Sequence, residues 1–427
     1  MSNKSNMPNT AGIDQTHEPK VLKMDDLIAS VGDDLSSALN QLVDALPDAP
    51  YRPQELARAL GVNKDLSSRM LNALDQDDPL ALVYQLPGPV PLRRLVKAAQ
   101  GKGVAGTMAK DAHRAIDRFE LLIRDHAGDR ASLDAIIAAR IPESREKLET
   151  VNRQLVYRGM AQLKGVSVDV TINTAILSPS KDGEHLDGMW LVMFKSLRRI
   201  RPNTPIRFHS RRIGKEDPSQ ASDQSGGHIR KTLTGHDVSS ADGLVLSRYC
   251  SEPLPEIRAQ SSGDTTHYML VGDEVGLASE MDIAVGEHTP SCIMAFKEPG
   301  ETTRHGPVAG VLIPTKLLVF DVLVHKDAFM GDHPELLVYE MGSQGLADMN
   351  DPARDGDRIQ TIDTVVDLGW GLDSMRIPEA RTYTSMLRES LKAMSLDERN
   401  FRVYRCQNQY PVFGTQYSLA FTPREKA

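Results

Sequence analysis

The feature that most constrains this chain is a change of hydrophobic period near Lys164. Before it, apolar residues recur at three- and four-residue steps, the repeat of a helix buried on one side. After it they alternate or form short runs between turn residues, the repeat of strands. Two periods in separate stretches predict a multidomain α+β protein rather than a βαβ alternation. The length agrees, since 427 residues exceed what one hydrophobic core holds.

Four segments follow. Residues 1–23, rich in Asn, Ser, Pro and Thr, read as a disordered tail. Residues 24–100 read as an all-α module, with Leu27, Ile28, Val31, Leu35, Leu39 and Leu42 on one helix face and two short helices split at Gly61. The run "LALVYQLPGPVPL" after them reads as one strand and a tight turn. Residues 101–164 read as a helical connector and dimerisation element, with Ala112, Ile116 and Phe119 on one face and Leu148, Val151, Leu155, Met160 and Leu163 on another. Residues 165–427 read as a mixed α+β domain rich in sheet. "VSVDVTINTAIL", "GLVLSRY", "KLLVFDVLVH" and "FRVYRC" are among its predicted strands, and only "DGMWLVMFKSLRRI" and "PEARTYTSMLRESLKAM" read as helices. The polar, Gly/Ser-rich stretch 214–243 reads as a long mobile loop.

Charge narrows the partners. A formal net charge of -8 excludes a polycation that coats nucleic acid unselectively, so any DNA contact must be local. Residues 51–110 are that locality, with nine Lys and Arg against five Asp and Glu. Cys250, Cys292 and Cys406 are odd in number and far apart, which argues against a disulfide framework or a CxxC zinc site and for a reducing cytoplasm. The opening residues lack the apolar core of a secretory signal and no run of about 18 apolar residues occurs, so a cytoplasmic protein without membrane spans is expected.

The stretch "PQELARALGVNKDLSSRMLNALDQ", residues 53–76, has the make-up of a helix-turn-helix. Ala57 is the small residue where two helices cross, Gly61 can take the positive φ of the turn, and Leu56, Leu60, Val62, Met70, Leu71 and Leu74 can form the shared core. That leaves Asn63, Lys64, Asp65, Ser68, Arg69 and Asn72 on the outer side or N-terminal end of the second helix, the surface a recognition helix presents to the major groove. Arg, Asn and Ser carry donors suited to base edges, and Arg93 and Arg94 add cations nearby in sequence.

The "ELARALGVNKDLSSRMLNAL" segment resembles the helix-turn-helix of bacterial winged-helix transcriptional regulators of the IclR-like and MarR-like kind, over roughly residues 35–95. The resemblance implies double-stranded DNA as partner, a homodimer, and a transcriptional regulator whose C-terminal domain senses a small-molecule effector or binds a protein. "LPGPVPLRRL" leaves little room for the returning strand of a full wing.

No catalytic residue, metal site or cofactor is expected. Nine of the twelve histidines fall between His185 and His333, but without HxH, HExxH or HxxxH spacing; Glu184, His185 and Asp187 of "GEHLDG" are placed in a loop. GxSxG, Walker and GxGxxG signatures are absent. Trp370 in "DLGWGLD" reads as a buried aromatic beside a glycine turn, and Lys195–Arg212, the most basic stretch, reads as a solvated face with phosphate contact as the alternative. Two other functions stay open: an enzyme with a β-rich catalytic domain and a docking helix-turn-helix, and a structural or assembly protein.

Overall fold

The helix period of residues 24–46 becomes α1 (Met24–Asp44) in a computed structural model that describes residues 23–47, 49, 51–212, 244–263, 265–329, 333–342 and 344–426. The expected tail up to residue 22 and the loop 214–243 lie outside the described residues. Two units divide the chain, Met1–Leu148 and Glu149–Ala427.

In the first unit α1 is followed by α2 (Pro53–Leu60), α3 (Lys64–Leu74), α4 (Pro79–Gln85), α5 (Pro89–Gln100), α6 (Gly106–Leu121), a π-helical turn (Leu122–Ala127) and α7 (Arg130–Ala138). Helix α8 (Pro142–Lys164) crosses the boundary. Burial of the apolar stripe holds the unit together, because one core runs from Ile28, Leu35 and Leu39 through Met70 and Leu95 to Phe119, Leu133 and Ile137. The core therefore does not stop at residue 100: α6 and α7 belong to it, and 101–138 is no separate connector. Gly32 marks the closest approach of α1 and α4, since a Cβ there would lie 2.6 Å from the carbonyl oxygen of Pro79.

The predicted strand at "LALVYQLPGPVPL" is instead α4 and the start of α5, and the described residues of this unit contain no strand. Capping explains the reversal. The Asp78 carboxylate accepts from the N–H groups of Leu80 and Ala81, Pro79 occupies the first turn where its missing N–H costs nothing, and Gly88 with Pro89 repeats the start for α5. No wing is built from this stretch.

The second unit is mixed α+β. Its strands are β1 (Val166–Pro179), β2 (His185–Arg199), β3 (Ile206–Arg212), β4 (Ile257–Ser262), β5 (Thr265–Leu270), β6 (Met281–Met294), β7 (Phe296–Lys297), β8 (Val308–Gly310), β9 (Thr315–His325), β10 (Glu335–Glu340) and β11 (Val365–Trp370), then helix α9 (Tyr383–Ala393), then β12 (Phe401–Gln409), β13 (Thr415–Ala420) and β14 (Arg424–Glu425). A six-stranded sheet in the order β11-β12-β9-β1-β2-β6 is its centre, with β1 and β9 parallel and the other neighbours antiparallel. Alternation along β1 sends Val170, Ile172 and Ile176 to a core shared with α9, and Ala175 and Leu177 to a core shared with the small β10-β13-β8 sheet. The β3-β5-β4 sheet closes a further core around Phe194, Phe208 and Leu270.

"DGMWLVMFKSLRRI", expected as a helix, is most of β2. A strand between two neighbours and covered on both faces carries apolar residues on both, so its two-residue period is blurred. "GLVLSRY" is not a strand either: Val245 makes one isolated bridge to Val285 and the chain turns into a 3-10 helix at Ser247–Tyr249. Among the described residues no helix is long and apolar enough to cross a membrane.

Candidate nucleic-acid interface

Helix α2 begins with Pro53 in its first turn and with the Glu55 carboxylate accepting from the Arg52 N–H at 2.9 Å. It ends at Gly61, whose φ of 65° and ψ of 36° are the left-handed conformation that a residue with a Cβ adopts at a cost. Two residues later the Asn63 side chain accepts from the Asp65 N–H at 2.9 Å and starts α3. Leu56, Ala57 and Leu60 of α2 are buried, as are Ser67, Met70 and Ala73 of α3, and the two helices pack on each other. Gly61 takes the left-handed turn and Leu56, Leu60 and Met70 are buried, whereas Val62, Leu71 and Leu74 are half-buried and pack against the same core.

Opposite that buried side, α3 turns Lys64, Asp65, Arg69 and Asn72 to solvent, with Ser68 half-buried beside them. Steps of three and four residues from Asp65 to Asn72 keep them on one face. The side-chain amide of Asn72 and the ammonium of Lys64 have no protein partner among the described residues. Arg69 reaches the Leu86 carbonyl at 3.4 Å, a long and weak bond that leaves most of its donors free. Asn63, counted among the contact residues, is the cap, so its side-chain oxygen is already engaged.

Arg93 and Arg94 separate. Arg94 is exposed on α5 with no ion pair among the described residues, whereas Arg93 donates to Asp117 and Glu120 of α6, and those hydrogen bonds raise its pKa further. Helix α5 packs on α6, while α3 packs on α2 and α4. The α3 residues thus share one face, and of the two α5 arginines only Arg94 keeps its guanidinium free of an ion pair among the described residues.

Four cations of the basic stretch from Lys195 are engaged by the fold, while Arg207 is exposed. Lys195 pairs with Asp282, and Arg198 with Asp169 and Glu280. Arg199 is 1% exposed and donates to the carbonyls of Thr204, Glu274 and Leu270; burial lowers its pKa. Arg201 donates to the Gln162 and Leu163 carbonyls.

His185 and Asp187 lie on β2 rather than in a loop, with only Glu184 of the trio before it. Nδ1 of His185 is 2.9 Å from Asp182, whose carboxylate also accepts from the Glu184 and His185 N–H groups and from Ser291; these bonds hold its pKa well below the carboxylate range. No group of three or more metal-ligating side chains occurs among the described residues. Burial pushes the Cys406 thiol up to about 12 and also raises Cys250, the opposite of a reactive thiolate. Trp370 is 56% exposed rather than buried, although Gly369 and Gly371 beside it do have positive φ.

Sequence reasoning missed the polar centre of the second unit. Asp321 of β9, fully buried, receives Nε and Nη2 of Arg405 at 2.7 and 2.8 Å and the Tyr383 hydroxyl at 2.7 Å; Thr174 lies 2.8 Å from that hydroxyl. Burial raises the Tyr383 pKa strongly, so the phenol stays a neutral donor. A lone carboxylate inside the apolar run "LLVFDVLV" was the available signal, because a charge in a buried strand needs a partner. No protein-family model, curated protein or solved structure matches this chain.

Proposed function

We propose that the chain is a sequence-specific DNA-binding regulator that reads the major groove with α3, and that its second unit senses a ligand or binds a partner. The observation that carries this reading is the two-sidedness of α3: a buried face packed on α2, and an opposite face where Lys64, Asp65, Arg69 and Asn72 are exposed and the Asn72 amide is unengaged. A polar helix face with uncommitted donors, presented after a left-handed turn, suits bidentate recognition of adenine by Asn and of guanine by Arg. Exposed Lys64 and Arg94 supply phosphate contacts, and Arg93, held by two carboxylates, is left out of the set.

The reading is of a wingless helix-turn-helix, since α4 and α5 occupy the stretch where a wing would form. A homodimer would place a second α3 about one helical turn of DNA away. Selection from a random duplex library with the full chain tests both points. Recovery of an inverted repeat, bound with an affinity that falls steeply as salt rises, is the expected result. Failure to enrich any sequence, with equally weak binding to all duplexes, would remove the proposal and leave α2–α3 as a protein-contact hairpin.

A further inference from the structure

The second unit carries a cleft of about 580 Å³ at the N-terminal end of α9, lined by Leu372, Ile377 and Ala380 below and by Arg376, Arg381 and Arg388 at the rim. Asp373 is its sole lining carboxylate. Arg388 is engaged, donating to Asp373 at 3.1 Å and Glu398 at 2.9 Å. Arg376 and Arg381 are exposed and make no ion pair with any described residue. Two exposed guanidinium groups without an ion-pair partner beside one concave surface are free to close on a bound anion.

Backbone donors add to them. Thr382 caps α9 without a side-chain hydrogen bond, and the N–H groups of Thr384 and Ser385, both lining the cleft, have no protein acceptor among the described residues. Free first-turn amides and the positive end of the helix dipole favour an anion there.

The cleft is also held in shape from beneath. Arg405, bound through two nitrogens to buried Asp321, uses Nη1 to hold the Arg376 carbonyl at 3.2 Å, and Tyr383 in the first turn of α9 is fastened to the same carboxylate. The Thr384 hydroxyl donates to the Met375 carbonyl at 3.2 Å. The backbone amides of this turn are fixed before binding and lose little freedom on binding.

We propose that this cleft binds a small molecule through a phosphate or diphosphate group. The three terminal oxygens and double charge of a phosphate match two free guanidinium forks and two amides better than the two oxygens of a single carboxylate do. An apolar floor of Leu372, Ile377 and Ala380 leaves room for the uncharged part of the ligand. The site does not depend on α3 or on DNA binding.

Calorimetric titration of the full chain with pyrophosphate, against sodium chloride of equal ionic strength, tests the proposal. The expected result is saturable one-to-one binding with a Kd below about 1 mM, weakened at least about tenfold in an Arg376→Gln/Arg381→Gln variant whose melting is unchanged. Arg399→Gln, which alters an exposed arginine paired with Asp397 elsewhere, should leave it untouched. Absence of saturable heat, or equal binding by the double variant, overturns the site. Citrate binding tighter than pyrophosphate, lost in the same variant, overturns the phosphate assignment in favour of a carboxylate.

Discussion

Asn72 in the first unit and Asp321 in the second are both polar residues on regular elements, and they stand at opposite extremes. Asn72 faces solvent with its amide unengaged, while Asp321 is sealed in a sheet with every oxygen occupied by Arg405 and Tyr383. The contrast runs through both units: α3 shows a polar face to water, whereas the second unit draws Arg199 and Arg405 inside. A polar side chain already satisfied by its own fold has little left for a partner, and one left unsatisfied at the surface has much. The groups open to a partner are therefore the uncommitted donors, not the densest charge in the sequence.

Both tryptophans, Trp190 and Trp370, belong to the second unit, so their fluorescence reports that unit alone, while helical ellipticity weights the first. The largest expected effect uses this difference. Asp321→Ala leaves the Arg405 guanidinium buried without its counter-charge and should cost about 3–5 kcal/mol. The fluorescence-detected urea midpoint should fall accordingly; an unmoved midpoint would break the contrast by showing that the buried pair holds nothing.

Next in size, Gly32→Ala drives a Cβ against the backbone of Pro79, where nothing flexible can yield, and should destabilise the first unit by about 1–3 kcal/mol. Ellipticity should melt earlier with fluorescence unaffected. Asn72→Ala should leave both melts unchanged while weakening binding to the selected duplex by about 1–3 kcal/mol, measured by anisotropy. A destabilised but fully binding variant would make Asn72 a structural residue and remove it from the interface.

The smallest effect concerns pH. Hydrogen bonds from Arg402 depress the pKa of Asp367, so the folded state holds this carboxylate charged to lower pH than the unfolded chain does. Its contribution is fully present above the unfolded value of about 4 and is lost as pH falls through the lower folded value. With both groups a quarter or more exposed, about 0.5 kcal/mol is the expected size. Comparing acid unfolding of Asp367→Asn with that of the parent, by fluorescence, should show a shallower loss below pH 4 in the variant.

Much of the architecture was legible from local signals. The step from helix period to strand alternation near Lys164 coincides with the end of α8 and the start of β1, and the two short helices α2 and α3 split at Gly61 were readable because turn geometry and helix caps depend on neighbours in sequence. Even α4 was written locally, in Asp78-Pro79, although the apolar run that follows it suggested a strand. The strand β2 carries no strand period in its sequence because an interior strand covered on both faces loses its alternation.

What the sequence alone determined is therefore the α+β composition, the order of most elements and the residues offered on α3. Only tertiary structure decided which charges remain available. Arg93 is close to Arg94 in sequence but is held by Asp117 and Glu120, 24 and 27 positions away. Arg405 meets Asp321 across 84 residues, and Arg376 and Arg381 reach one cleft because α9 packs on the sheet that this pair fastens. A helix cap is set by residues a few positions apart, whereas the partner of a charge is whatever the fold brings within about 4 Å, and no local pattern encodes that.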